Sequence, residues 1–236
     1  MRLKLFFLSK SCSLEIHRLS IPLLILTACL VFNSTNLSGQ QFSRKDTLKG
    51  SITDERAWWD LQHYDLQVDI DPEGKFISGT NTIRYEVLQN DSIMQLDLQK
   101  PMILERAEQD GEELSVKQDG NAYLIRLTQD QAEGSVMPVP VQFKGKPLES
   151  VNPPWDGGFV WSRDENNNHF VANAVQHLGP SSWFPSKDHP YDEPDQGADL
   201  RITAPSGLTA VGNGRLIEKK PLDEAKTMFH WRVTQP

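Results

Sequence analysis

The stretch that most constrains this chain is "YDLQVDID", Tyr64 to Asp71. Tyr64, Leu66, Val68 and Ile70 alternate there with Asp65, Gln67, Asp69 and Asp71. Successive side chains of a strand point to opposite faces, so this period of two predicts a strand with one face buried. Asp71-Pro72-Glu73-Gly74 follows as a turn, Pro72 fixing one torsion and Gly74 accepting positive φ. Alternation resumes with Ile83, Tyr85 and Val87 on one face and Thr82, Arg84 and Glu86 on the other.

Further short apolar runs extend the pattern: Met94 to Leu98, Ile103 to Ala107, Tyr123 to Leu127, Val139 to Phe143, Leu200 to Thr203 and Phe229 to Val233. Past the leader nothing sustains a long 3.6-residue period, and "TQDQAEG" supports one helical turn at most. The fold class expected is all-β, with antiparallel sheets packed face to face. Pro138 and Pro140 flank Val139 and cannot donate to a ladder, which predicts an edge strand there. "GNG" at Gly212 to Gly214, between Ala210-Val211 and Leu216-Ile217, predicts a tight hairpin.

The first forty residues are of another kind. Arg2, Lys4, Lys10 and Arg18 precede an apolar run from Ile21 to Phe32, too short to span a bilayer comfortably but suited to a secretory signal. Polar Asn33 to Gln41 suits a cleavage zone, so residues 1–40 read as a signal peptide or membrane anchor and 41–57 as a linker. Leu26-Thr27-Ala28-Cys29 offers a competing lipobox reading, although Leu30 to Phe32 continue the apolar run beyond Cys29. Either way the expectation is export: periplasmic, outer-surface or secreted. Cys12 and Cys29 are the only cysteines, so the rest of the chain holds no thiol nucleophile, disulfide or cysteine metal ligand.

At 236 residues, with 38% hydrophobic and 24% charged residues, the chain is large and apolar enough to fold around a core. A net charge of -8 with no basic cluster excludes nucleic acid as a natural partner.

Residue patterns for chemistry are mostly missing. No two of His17, His63, His169, His177, His189 and His230 have zinc-ligand spacing, and H-E-x-x-H is absent. A site assembled by the fold alone, from His177, His189 and Asp192, is the residual metal reading. "DENNN" imitates half a calcium loop through Asp164, Asn166 and Asn168, but His169 and Val175 stand where glycine and glutamate are needed. An asparagine-rich hairpin turn accounts for the same letters. There is no G-x-S-x-G elbow and no phosphate loop. Asp188, Asp192, Glu193, Asp195 and Asp199 could supply a carboxylate pair, yet such clusters are usually solvated loop faces. Trp155, Trp161 and Trp183 are expected to pack loops onto the sandwich, one of them touching a cleft.

The run "PPWDGGFVW", "VQHLGPSSWFPSKDHPYDEPD", "LRITAPSGLTAVGNGRL" and "FHWRVTQP", in that order, resembles the aminopeptidase N family of zinc metallopeptidases, most closely secreted bacterial members. The likeness covers about Trp58 to Pro236. It implies that 58–236 is the family's N-terminal domain, a saddle-like antiparallel β-sandwich lacking its last strands. The family's zinc ligands and substrate-gripping G-x-M-E-N stretch belong to a following domain, and neither motif occurs here. The resemblance therefore implies no catalytic or metal residue in this chain, Zn2+ in a full-length relative, and the catalytic domain of the same protein as partner. Counting back from W-F-P, the residue similar to the family's contact with a peptide's free α-amine is Gln176. The residues alone equally fit Gln176 satisfying neighbouring backbone. The alternatives to an aminopeptidase domain are a stand-alone β-sandwich that binds a peptide or protein partner and, last, a carbohydrate-binding or -cleaving sandwich.

Overall fold

The structure is a computed structural model that describes residues 41–235. The signal, anchor and Cys29 readings fall on residues 1–40 and lie outside the described residues. Among those described, no helix is long and apolar enough to cross a membrane.

The architecture is almost entirely β. Two short helices, α1 (Arg44–Gly50) and α2 (Asp54–Ala57), lead into β1 (Trp59–Asp71) and β2 (Phe76–Val87). Then come β3 (Ile93–Asp97), β4 (Ile103–Gln109), β5 (Glu112–Glu113), β6 (Ser115–Asp119), β7 (Ala122–Arg126) and β8 (Val136–Gly145). A hairpin follows, β9 (Gly158–Arg163) and β10 (His169–Ala174), with a 3-10 turn at Pro180–Ser182. The described chain ends with β11 (Ala198–Pro205), β12 (Arg215–Pro221) and β13 (Lys226–Val233). The strands form an eight-stranded sheet ordered β12-β13-β11-β1-β2-β8-β4-β5, a three-stranded sheet ordered β3-β7-β6, and the β9–β10 pair.

One buried cluster draws on all three: Leu66, Val68, Ile83, Tyr85 and Val139 from the large sheet, Leu96 and Ile125 from the small one, and Phe159 from the hairpin. The alternating residues of β1 and β2 are thus the core face the sequence predicts. Trp58 and Trp59 meet Tyr85 edge-on, with ring centroids 5.7 and 5.9 Å apart. Such pairs add to the area the rings bury.

Four expectations need correction. β1 pairs with β11 in parallel, Tyr64 opposite Ala198, so the large sheet is not purely antiparallel. The strand around Val139 is interior, pairing with β2 on one side and β4 on the other. Its ladder to β4 covers only Val141 to Lys144, so beyond Val141 that flank has no strand to receive an N–H, and Pro138 and Pro140 fall there. The prolines mark a local edge within a central strand.

Gly212 to Gly214 do not turn a hairpin; they lie in a loop before β12, and the β12–β13 hairpin turns between Pro221 and Lys226. Gly214 is needed for another reason: at φ 89° it lies against the Arg232 backbone carbonyl, where a side chain would clash. "TQDQAEG" forms no helix; Gln131 is buried there, accepting hydrogen bonds from Gln109 and Tyr85.

The 41–57 stretch carries α1 and α2, with Arg56 wholly buried. Its guanidinium pairs with Asp97 at the end of β3 and donates to the Ser51 carbonyl at 2.8 Å. Burial pushes the Asp97 carboxyl above its ordinary range, and the Arg56 charge opposes that rise.

Candidate binding site beside the β9–β10 hairpin

Gln176 lies just after β10, exposed, in a turn closed by hydrogen bonds from Leu178 and Gly179 N–H to the Val175 carbonyl, at 3.1 and 2.9 Å. The far side of the turn is pinned: the Leu178 carbonyl accepts from Gln99 Nε2 at 2.6 Å and Lys49 Nζ at 3.1 Å. The near side rests on Gly157, where a Cβ would lie 2.5 Å from the Gln176 carbonyl oxygen. Gly157 also has φ 68°, so both conformation and space call for glycine.

That glycine is the first of the two that close the loop "PPWDGG". Asp156 organises the loop from within, accepting from Ser150 Oγ and from the N–H groups of Val151 and Asn152, at 2.6 and 2.7 Å for the latter two. The Ser150 hydroxyl and these amides hold its carboxyl below the usual carboxylate range. A carboxylate bound to successive amides fixes the loop locally, as in an Asx turn.

A chain of rings leads from the β9–β10 hairpin to β1. Trp161 stacks on Phe159 at 5.3 Å, Phe159 meets Trp183 at 6.2 Å, Trp183 meets Phe184 at 4.7 Å, and Phe184 meets Tyr64 of β1 at 5.7 Å. Trp161 and Trp183 therefore pack as expected. Trp155 does not: it is 67% exposed at the tip of the Asp156-anchored loop.

The segment after the 3-10 turn is held inward. Asp188 accepts from Ser181 Oγ, and Asp192 pairs with the buried Lys187 ammonium and faces the Leu61 N–H. Both carboxylates are committed to hydrogen bonds. Asp195 faces Gln62, and Asp199 is bound by Arg232 at 2.8 and 2.9 Å. Asp60 shares the Gln62 amide with Asp195, and burial together with the charges of Asp192 and Asp195 pushes its carboxyl above the ordinary range.

The histidine readings separate as well. His189 faces the Gly50 carbonyl and the Tyr191 N–H, Asp192 faces Lys187, and His177 is exposed at φ 61°. Among the described residues no group of histidine, aspartate and glutamate could hold a metal. Asp164 accepts from the N–H groups of Asn166 and Asn168 inside the β9–β10 connection, with Asn167 at φ 63°, which is the turn reading of "DENNN".

Sequence reasoning missed the Asp156-anchored loop as a unit. The signal was present: an aspartate five residues after Val151, followed at once by two glycines.

The Gln176 turn and the Asp156-anchored loop thus meet beside the β9–β10 hairpin, through Gly157 and the Gln176 carbonyl. The family model of the peptidase M1 N-terminal domain matches residues 61–236, and the chain belongs to that family. Among solved structures it is similar to an M1 zinc metallopeptidase from Deinococcus radiodurans, at 23% identity over 76% of this chain and 40% of that one, TM-score 0.56. A mutant M1 zinc metallopeptidase of the same organism, bound to a Tyr-Ser-Ala substrate, matches at 22% identity over 75% and 40%, TM-score 0.58. Native yeast LTA4 hydrolase matches at 17% over 74% and 26%, TM-score 0.53. At these identities the likeness is one of fold. The chain spans about two fifths of the length of the two Deinococcus structures. No curated protein matches the sequence.

Proposed function

We propose that this domain belongs to a zinc-dependent aminopeptidase and forms one wall of the cleft that receives peptide amino termini. In this reading Gln176 presents its side-chain carbonyl to the peptide's α-ammonium. A glutamine can accept from an ammonium without bringing a full charge, and a desolvated ammonium without an acceptor is costly. The observation that carries the reading is the placement of Gln176: exposed, on a turn pinned by Gly157, Gln99 and Lys49.

Zinc in this reading is held by the catalytic domain of the same protein, where it would activate water for hydrolysis. The residues described here do not fit it. His63 and His230 converge on one carboxylate, Asp199, but Arg232 already holds both of its oxygens. Export, with or without a lipid at Cys29, is supported by the basic and apolar order of residues 1–40.

The test is an amino-acid release assay on the purified chain with zinc added. The expected result is no turnover of fluorogenic amino-acid amides above background. Release of amino acids together with stoichiometric zinc would assign the chemistry to this chain and overturn the division of labour.

A further inference from the structure

We propose that the groove between the β1–β2 turn and the far end of the β9–β10 hairpin binds a neutral sugar ring, through Trp161, Phe170 and Glu73. This site is independent of Gln176. Gln176 follows the end of the hairpin where Ala174 pairs with Gly158, whereas the groove lies at the Arg163–His169 end, roughly 17 Å away along the strand.

Strand alternation puts Trp161 and Arg163 on one face of β9, with Val171 and His169 opposite them on β10. With Phe170 they line a cavity of about 220 Å3 whose other side is Pro72, Glu73 and Lys75. Both sides are fixed. The Asp71 carboxylate accepts from the N–H groups of Glu73 and Gly74 at 3.1 and 3.0 Å. Glu73 then joins the two turns, accepting from Arg163 at 2.8 Å and facing His169 at 3.1 Å. The cavity is therefore preformed, and smaller than sites for drug-sized molecules, roughly 300–1,000 Å3. It suits one ring.

Charge, surface and hydrogen bonding together define that ring. The rim charges are already paired, Arg163 with Glu73 and Lys75 with Glu149, each at 2.8 Å. A charged ligand would have to break a pair, and a neutral one would not. Phe170, 54% exposed, offers apolar surface for the C–H face of a ring. Polar groups are left over as well. The Trp161 indole N–H is buried without an acceptor among the described residues, a costly state that a ligand hydroxyl would relieve. Arg163 and His169 both take Oε2 of Glu73, which leaves Oε1 to accept from a hydroxyl. A neutral ring with an apolar face and hydroxyls that both donate and accept is a pyranose, free or at the end of a glycan.

The experiment titrates the purified chain with methyl β-D-glucoside, methyl α-D-mannoside and N-acetylglucosamine, following the Trp161 indole N–H and the Phe170 and Val171 amides by NMR. Leucine, which is charged, and cyclohexylmethanol, an apolar ring with one hydroxyl, are the controls. The expected result is saturable shifts with at least one sugar and none with either control. Phe170→Ala and Trp161→Phe, read from the Val171 amide, should each weaken that binding about fivefold, the first through lost apolar contact and the second through one lost hydrogen bond. Phe170 is exposed, so its variant keeps the fold, and dispersed amide signals verify both. An oligosaccharide ending in the sugar that binds separates the two sources: binding assigns glycan ends, exclusion assigns the free sugar. No saturable shift with any sugar, equal shifts with either control, or affinity unchanged in either variant overturns the inference and leaves the role of Gln176 untouched.

Discussion

The ammonium of Lys187 lies 4.0 Å from the centre of the Trp59 ring. The same nitrogen donates to the Trp59 carbonyl and to the Asp192 carboxylate, and the lysine side chain is wholly buried. Burial pushes its pKa below the ordinary lysine value, and Asp192 opposes that fall. This ties the chain beyond the 3-10 turn to the first residue of β1.

Removing only the lysine leaves a carboxylate buried without its cation. Lys187→Ala should therefore lower stability by about 3–5 kcal/mol. Adding Asp192→Ala should cost less than the sum of the single changes, because the second removes the stranded charge. Urea unfolding of the two singles and the double decides it; strict additivity would mean the two groups do not depend on each other.

Tyr85 is the centre of the aromatic core. With no exposed surface and both tryptophans edge-on to it, Tyr85→Ala should cost about 3–5 kcal/mol. Tyr85→Phe keeps the ring and loses one hydrogen bond to Gln131, at 3.3 Å, so it should cost about 1 kcal/mol. Equilibrium unfolding separates the two.

Asp199 should make stability fall in acid. Burial alone would raise its carboxyl, but hydrogen bonds from Arg232 and His230 hold it far below the usual range, and His63 also faces it. A lowered value in the fold means that the unfolded chain takes up protons first as pH drops. The stabilisation is whole above about pH 4 and is lost as pH falls below it. Asp199→Asn should cost about 2 kcal/mol at neutral pH and flatten the acid limb of a melting-temperature profile. An acid limb as steep as before would place the titration elsewhere.

Gly157→Ala tests whether loop and turn form one unit. The added carbon would meet the Gln176 carbonyl at a positive φ, so the Gln176 and Leu178 amide signals should move in an NMR spectrum. The β1 and β2 signals should stay in place. Shifts confined to residues 155–159 would show that the turn does not rest on the loop.

The half-buried strands were legible because burial wrote alternation into them: Leu66 and Val68, then Ile83 and Tyr85, face one core. β12 was only partly legible: Leu216-Ile217 read as a hairpin arm but with the turn on the wrong side, since every residue of the strand is exposed and no pattern of burial marks its extent. The parallel pairing of β1 with β11 joins Tyr64 to Ala198 across the whole intervening chain, and local turn residues carry no information about that. Pro138 and Pro140 told truly of missing donors but not that β4 stops beside Val141. At the site, Gln176 came from resemblance alone, because an exposed glutamine has no signature in spacing. The burial of Lys187 was equally hidden within "SKDHPYDEPD", where nothing in the letters singles out a lysine whose side chain is wholly buried beside a nearly buried Asp192.

The most direct measurement compares Leu-Gly-Gly with its N-acetylated form, each titrated into the purified chain while the Gln176 side-chain amide is followed by NMR. The account predicts saturable shifts with the free amine, none with the acetylated peptide, and loss of binding in Gln176→Ala. Equal shifts with both peptides, or binding unaltered by that substitution, would contradict recognition of the amino terminus by this residue.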